Sequence, residues 1–188
     1  ADVSASLRPA ALFGGDPLHW RAWEGLYDAV RGGHTAFDRV HGKPLFAALA
    51  DRPDLALTFQ GLMAGGPDYN DAILDACDLG RARLLVDVGG GHGDLARAAL
   101  ERWPDLRALV VDRPEVVAAQ APAHDGRLGF VAGDLFDALP AGGDRYLLRF
   151  ILHDWDDAPA LAILRTCRAA MEPGSRLLVI EHLLAASA

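Results

Sequence analysis

Hydrophobic positions along this chain change rhythm near residue 80. Before it they recur at three- and four-residue steps, the spacing of one helix face. Trp20, Trp23, Tyr27 and Val30 follow Asp16-Pro17, a cap and first-turn pair, and predict a helix with those four side chains on its buried face. Leu45, Phe46 and Leu49 after Pro44 predict a second helix. Leu55, Phe59, Leu62 and Met63 after Asp51-Arg52-Pro53 predict a third, and a further helical segment runs through Ile73 and Leu74 to Gly80. Beyond residue 83 short apolar runs alternate with Ala- and Leu-rich stretches. Strands are predicted at 84–88, 108–112, 128–131, 144–150 and 175–182, with helices at 93–102, 114–121 and 158–171. Such alternation builds a parallel, doubly wound α/β sheet with helices on both faces.

The last strand complicates this picture. Arg176-Leu177-Leu178-Val179-Ile180 reads as a central strand, yet only six residues follow His182. The chain stops before anything can pair with its far side, so the expectation is either a truncated sheet whose later strands are missing or an edge that something else covers.

Composition narrows the function classes. The 188 residues are 51% hydrophobic, which suits a folded core. A net charge of −8 opposes nucleic acid or an anionic membrane as partner, because both require clustered cations. Cys77 and Cys167 match no metal spacing and read as buried thiols of a reducing cytoplasm. No apolar run approaches membrane-spanning length, and no signal peptide is visible.

The chemistry begins at the first strand, Leu84-Leu85-Val86-Asp87-Val88, which runs into Gly89-Gly90-Gly91-His92-Gly93 and then a helix. Glycines at such a turn let the backbone close on a ligand at the helix N-terminus. A dinucleotide fingerprint needs a third glycine where this chain has Asp94 or Ala96. The pattern present, Asp87-x-Gly89-x-Gly91-x-Gly93, resembles that of S-adenosylmethionine-dependent methyltransferases. In that setting Asp87 suits the ammonium of the cofactor's amino-acid end. Asp112, ending the second strand, can accept both ribose hydroxyl protons, and alone it fits NAD as well. Asp134, in Gly133-Asp134-Leu135-Phe136, is placed to accept from the adenine amino group while Leu135 covers the ring.

The fourth strand ends in Arg149-Phe150-Ile151-Leu152-His153-Asp154-Trp155. Here the chain resembles the plant caffeic-acid type of small-molecule O-methyltransferases and their bacterial relatives in aromatic polyketide biosynthesis. The resemblance takes in the Asp-Pro and Trp helix, Phe59-x-x-x-Met63, the glycine turn, Asp112-Arg113-Pro114, Gly133-Asp134-Leu135-Phe136 and Glu181. It implies a Rossmann-like class I methyltransferase fold over 81–188, with 1–80 a helical segment packing on it and lining the substrate pocket. It also implies roles. His153 takes the proton from an acceptor hydroxyl, Glu181 holds that imidazole, and Asp154 neighbours the base. Phe59 and Met63 surround the reactive methyl group, and Arg149 and Phe150 contact the cofactor. The expected reaction moves a methyl group from S-adenosylmethionine to a hydroxyl of an aromatic or polyketide-like small molecule, leaving S-adenosylhomocysteine. The full-length enzyme is expected to be a cytoplasmic homodimer.

General chemistry fits these residues. A sulfonium methyl is already electrophilic, so alignment is the main requirement, worth on the order of 7–11 kcal/mol. A phenol ionises near ~10 and free imidazole near ~6.5, a workable pairing for proton transfer. No metal is expected: magnesium-dependent catechol-type enzymes carry another motif, and Asp156 or Asp157 reads as a cap for the following helix. Two alternatives remain. One is a repurposed relative that binds the cofactor but hydroxylates or does no chemistry; the other is an NAD-linked oxidoreductase.

Overall fold

The computed structural model describes residues 7–64, 69–120 and 126–183. The chain forms two compact units, residues 1–68 and 69–188.

The first unit is helical: α1 (Arg8–Gly15), α2 (Pro17–Ala22), α3 (Leu26–Gly32), α4 (Ala36–His41), α5 (Leu45–Ala50) and α6 (Pro53–Ala64). Asp16 caps α2, its carboxylate accepting the Leu18 N–H at 2.8 Å. Phe13, Leu49 and Leu55 form the buried core, with Phe46, Phe59 and Leu62 packed against it. The expected buried face of Trp20, Trp23, Tyr27 and Val30 is not buried: their exposures are 65%, 57%, 70% and 78%. α2 meets the core through Leu18 instead, on the opposite side of the helix from Trp20, and the predicted single helix is also broken. A 3₁₀ turn at Trp23–Gly25 separates α2 from α3, and the side of that turn that meets another helix is its glycine. A β-carbon at Gly25 would lie 3.3 Å from Val40 and 3.4 Å from Ala36 of α4.

The second unit begins with α7 (Asn70–Ala76), followed by β1 (Leu84–Val88), α8 (Asp94–Arg102), β2 (Arg107–Asp112), α9 (Pro114–Val117), β3 (Leu128–Ala132), β4 (Arg145–Arg149), α10 (Asp157–Ala170) and β5 (Arg176–Ile180). The strands pair in the order β3-β2-β1-β4-β5, all parallel. Side-chain alternation sends Leu85, Ala108, Val110 and Leu147 to the face covered by α7 and α8. Val86, Val88, Tyr146 and Leu148 go to the other, where Ile163 and Cys167 of α10 cover them. Both faces are buried, which is why these strands read as unbroken apolar runs. This is a doubly wound, Rossmann-like parallel sheet.

Three local expectations need correction. The helix predicted at 114–121 stops at Val117, with Ala118 and Ala119 in a turn, and 121 lies outside the described residues. Asp156 stands at the N-cap of α10, but its side chain makes no capping hydrogen bond. Its carbonyl accepts the Ala160 N–H instead. Cys167 is buried and free as expected, whereas Cys77 is only half-buried. β5 lies at the sheet edge, and Val179 on it is 46% exposed.

Candidate active site

Strand order reverses direction between β1 and β4. In doubly wound sheets the crevice beyond the carboxyl ends of two such strands is where ligands bind. The sequence-predicted residues of the second unit gather there.

Gly89, Gly91 and Gly93 have φ of +73°, +58° and +75°, so the turn out of β1 closes as only glycine readily allows. The Gly89 N–H donates to Val111 O at 2.7 Å and the Gly91 N–H to Asp112 Oδ2 at 2.8 Å, tying the turn to β2. The Arg113 N–H donates to the other Asp112 oxygen at 2.7 Å. Each carboxylate oxygen keeps a further lone pair for a ligand. A β-carbon at Gly89 would overlap Ile151 Cδ1 and meet Leu135 Cδ2 at 3.8 Å, so the segments after β4 and β3 both lean on this turn.

Asp87 is only 2% exposed. Burial pushes its carboxyl up to about 7, opposed by the Arg149 charge and reinforced by Asp112 and Asp94. Its carboxylate lies directly under Gly90, where a β-carbon would sit 2.5 Å from Cγ and Oδ2. Gly90 is thus required by close approach, a constraint the alternating motif did not reveal.

Asp134 is exposed, its Oδ1 accepting the Phe136 N–H at 2.9 Å. Leu135 packs against the core cluster beneath, and Phe136 meets Trp155 edge-on at 4.7 Å. The two rings belong to separate sequence motifs, and no spacing between the motifs signals their contact.

Arg149 donates to Asn70 Oδ1 at 3.0 Å and lies 5.5 Å from the Phe150 ring centroid. Asn70, 79 residues away, carries no sequence signal of this contact. His153 sits on a single 3₁₀ turn, Leu152–Asp154. Its Nδ1 is 2.7 Å from Glu181 Oε2. Glu181 Oε1 also accepts the backbone N–H groups of Leu152 at 2.9 Å and His153 at 3.4 Å. Burial works to raise the Glu181 carboxyl, but these His153 and backbone contacts together hold it below the usual range. With the Nδ1 proton directed at Glu181, Nε2 is the nitrogen left to accept a proton. Asp154 Oδ1 lies 3.5 Å from it, too far for a good hydrogen bond. Burial raises the Asp154 carboxyl, with His153 acting against it and Glu181 with it.

Phe59 and Met63 stand one turn apart on α6 of the first unit. Phe59 packs between Phe13 and Phe46, and Met63 is 59% exposed. Among the described residues no group of three or more His, Cys, Asp or Glu side chains is arranged to hold a metal, and no helix is long and apolar enough to cross a membrane.

A family model described as an O-methyltransferase domain matches residues 23–188. A 3-amino-4-hydroxybenzoate 4-O-methyltransferase of Streptomyces cremeus is 44% identical over 170 residues, covering 88% of this chain and 47% of the relative. An aclacinomycin 10-hydroxylase of Streptomyces purpurascens is 37% identical over 200 residues, covering 94% of this chain and 54% of the relative. An O-methyltransferase from neocarzinostatin biosynthesis, solved with S-adenosylmethionine and 2-hydroxy-5-methyl naphthoic acid, superposes with a TM-score of 0.83 at 34% identity. That match covers 96% of this chain and 57% of the solved one. The chain spans about half the length of the curated relatives it matches.

Proposed function

Because the chain belongs to the O-methyltransferase domain family, we propose that it methylates a hydroxyl of an aromatic or polyketide-like small molecule from S-adenosylmethionine. The observation that carries this reading is the 2.7 Å His153–Glu181 pair beside three acid-bearing strand ends.

The residues fit the cofactor. Asp87 is a buried carboxylate lacking a hydrogen-bond partner among the described residues, suited to an ammonium. Asp112 has lone pairs for ribose hydroxyls, Asp134 for the adenine amino group, and Leu135 offers an apolar cover. Gly89 and Gly91 admit the ligand close to the backbone, and Arg149 and Phe150 border it from β4. When bound, the cofactor supplies an electrophilic methyl group on a positively charged sulfur.

His153 Nε2 takes the proton from the acceptor hydroxyl as the oxygen attacks. Glu181 fixes the Nδ1–H tautomer and stabilises the imidazolium that forms. Asp154 places a second carboxyl beside that nitrogen. Proton removal by imidazole requires no metal. For the whole protein we propose a cytoplasmic homodimer taking no nucleic acid or membrane as partner, in keeping with the net charge of −8.

The hydroxylase relative favours a second reading, a repurposed cofactor-binding protein. Calorimetry with S-adenosylhomocysteine and with NAD, followed by product mass, separates the readings. Binding of the former alone and a product heavier by one methylene support transfer. Binding of NAD alone would overturn it, and a hydroxylated product would establish the second reading.

A further inference from the structure

Phe150 is the one non-glycine residue with positive φ among the described residues, at +54°, a region that bulky side chains rarely enter. Two contacts tie it to the end of β5. Its N–H donates to Ile180 O at 2.9 Å, and its ring stacks on His182 with centroids 4.8 Å apart and planes 13° apart. Glu181 lies between these two anchors. It is also one residue past the β4–β5 ladder, whose last pair is Arg149–Ile180, on an edge strand. A strand end beyond its ladder frays readily. Yet this end must deliver a carboxylate to three donors on the turn after β4: the Leu152 N–H, the His153 N–H and the His153 Nδ1–H.

We propose that His182 is a positioning residue: stacked on Phe150, it holds the end of β5 so that Glu181 stays on the His153 imidazole. The inference rests on the reading of His153 as the proton acceptor. His182 itself acts through Glu181. A planar ring on the ring of Phe150 is what the role requires, and an ionisable one is not.

The charged and titratable groups around this device are Glu181 just past β5, His153 and Asp154 on the turn after β4, and Arg149 over the Phe150 ring. Glu181 is the group to watch, since its contacts with His153 hold its carboxyl below the usual range.

The test is an NMR titration of the full chain, following the Glu181 side-chain carbon and the hydrogen-bonded His153 Nδ1 proton, in wild type, H182A and H182F. H182A is expected to raise the Glu181 midpoint toward that of an ordinary carboxylate and to lose the Nδ1 proton signal to solvent exchange. H182F, which restores the stack without a titrating group, is expected to recover both. If H182A does not fold, H182Q, which keeps bulk without an aromatic ring, must raise the midpoint in its place. An alanine or glutamine variant with wild-type Glu181 and His153 signals overturns the proposal, as does a folded H182F that recovers neither. Neither NMR readout uses turnover. A wild-type chain that binds no S-adenosylhomocysteine therefore sinks the functional reading and leaves this test standing.

Discussion

The two compact units treat their apolar residues in opposite ways. In the second, strands run through the middle, and Val86, Val110, Tyr146 and Leu148 are wholly enclosed. In the first, the core gathers around Phe13, Leu49 and Leu55 while Trp20, Trp23, Tyr27 and Val30 stay open. A sheet covered on both faces leaves its central strands no outward side, whereas every short helix has one. The consequence is chemical. The buried polar or charged residues among those described, Asp87 and Arg145, both belong to the second unit. A group taken out of water changes its ionisation and its reach for a charged ligand. Asp87, the buried carboxylate of the proposed cofactor site, is such a group.

The largest break in that contrast should come from His153→Ala. Loss of a general base slows turnover by roughly 10²–10⁴-fold. S-adenosylhomocysteine binding should remain near wild type, since the strand-end acids are untouched. Turnover and calorimetry on the same sample check both halves, and wild-type turnover would remove His153 from the mechanism.

Asp87 gives the next largest effect, on stability. Its unfolded carboxyl ionises near 3.8 and its folded one near 7, so the folded state binds the extra proton between those values. Stability should therefore fall as pH rises from about 4 to about 7 on account of this group, then level off. Asp87→Asn should remove that component, as urea melts across the range would reveal. Glu181 acts in the opposite sense: held below the usual range, it contributes stability at neutral pH that is lost as pH falls through its folded value.

A pair of glycines gives the smallest effect and the sharpest contrast. Gly90→Ala places a methyl group 2.5 Å from the Asp87 carboxylate, and overpacking of this kind costs about 1–3 kcal/mol. Gly14→Ala, in α1 with nothing within 4 Å, should stabilise by about 0.4–1 kcal/mol. Thermal melts of the two variants should shift in opposite directions. A destabilising Gly14→Ala would mean that the open side of the first unit is not open.

Much of the second unit was legible from one-dimensional pattern. β1 falls at 84–88 as predicted, and the other four strands lie within two residues of their predicted bounds; in the central strands burial on both faces writes itself as an apolar run. In the first unit, periodicity located the stripe from Trp20 to Val30 but not its direction. A period identifies a face without saying what the face meets, and α2 meets the core through Leu18, opposite Trp20. At the site, His153 and Glu181 stood out through the family resemblance alone. They lie 28 residues apart, and it is β4–β5 pairing that brings them together. Asn70 and His182 carry no sequence signal because each matters through a side chain distant in the chain, and Gly90 because its constraint is the folded position of the Asp87 carboxylate.

Hydrogen exchange of the chain with and without S-adenosylhomocysteine tests the central claim most directly. The account predicts new protection in the turn at 89–93 and around Asp112, Asp134 and Phe150, with none required in the first unit. Protection elsewhere, with the glycine turn exchanging as before, would contradict it.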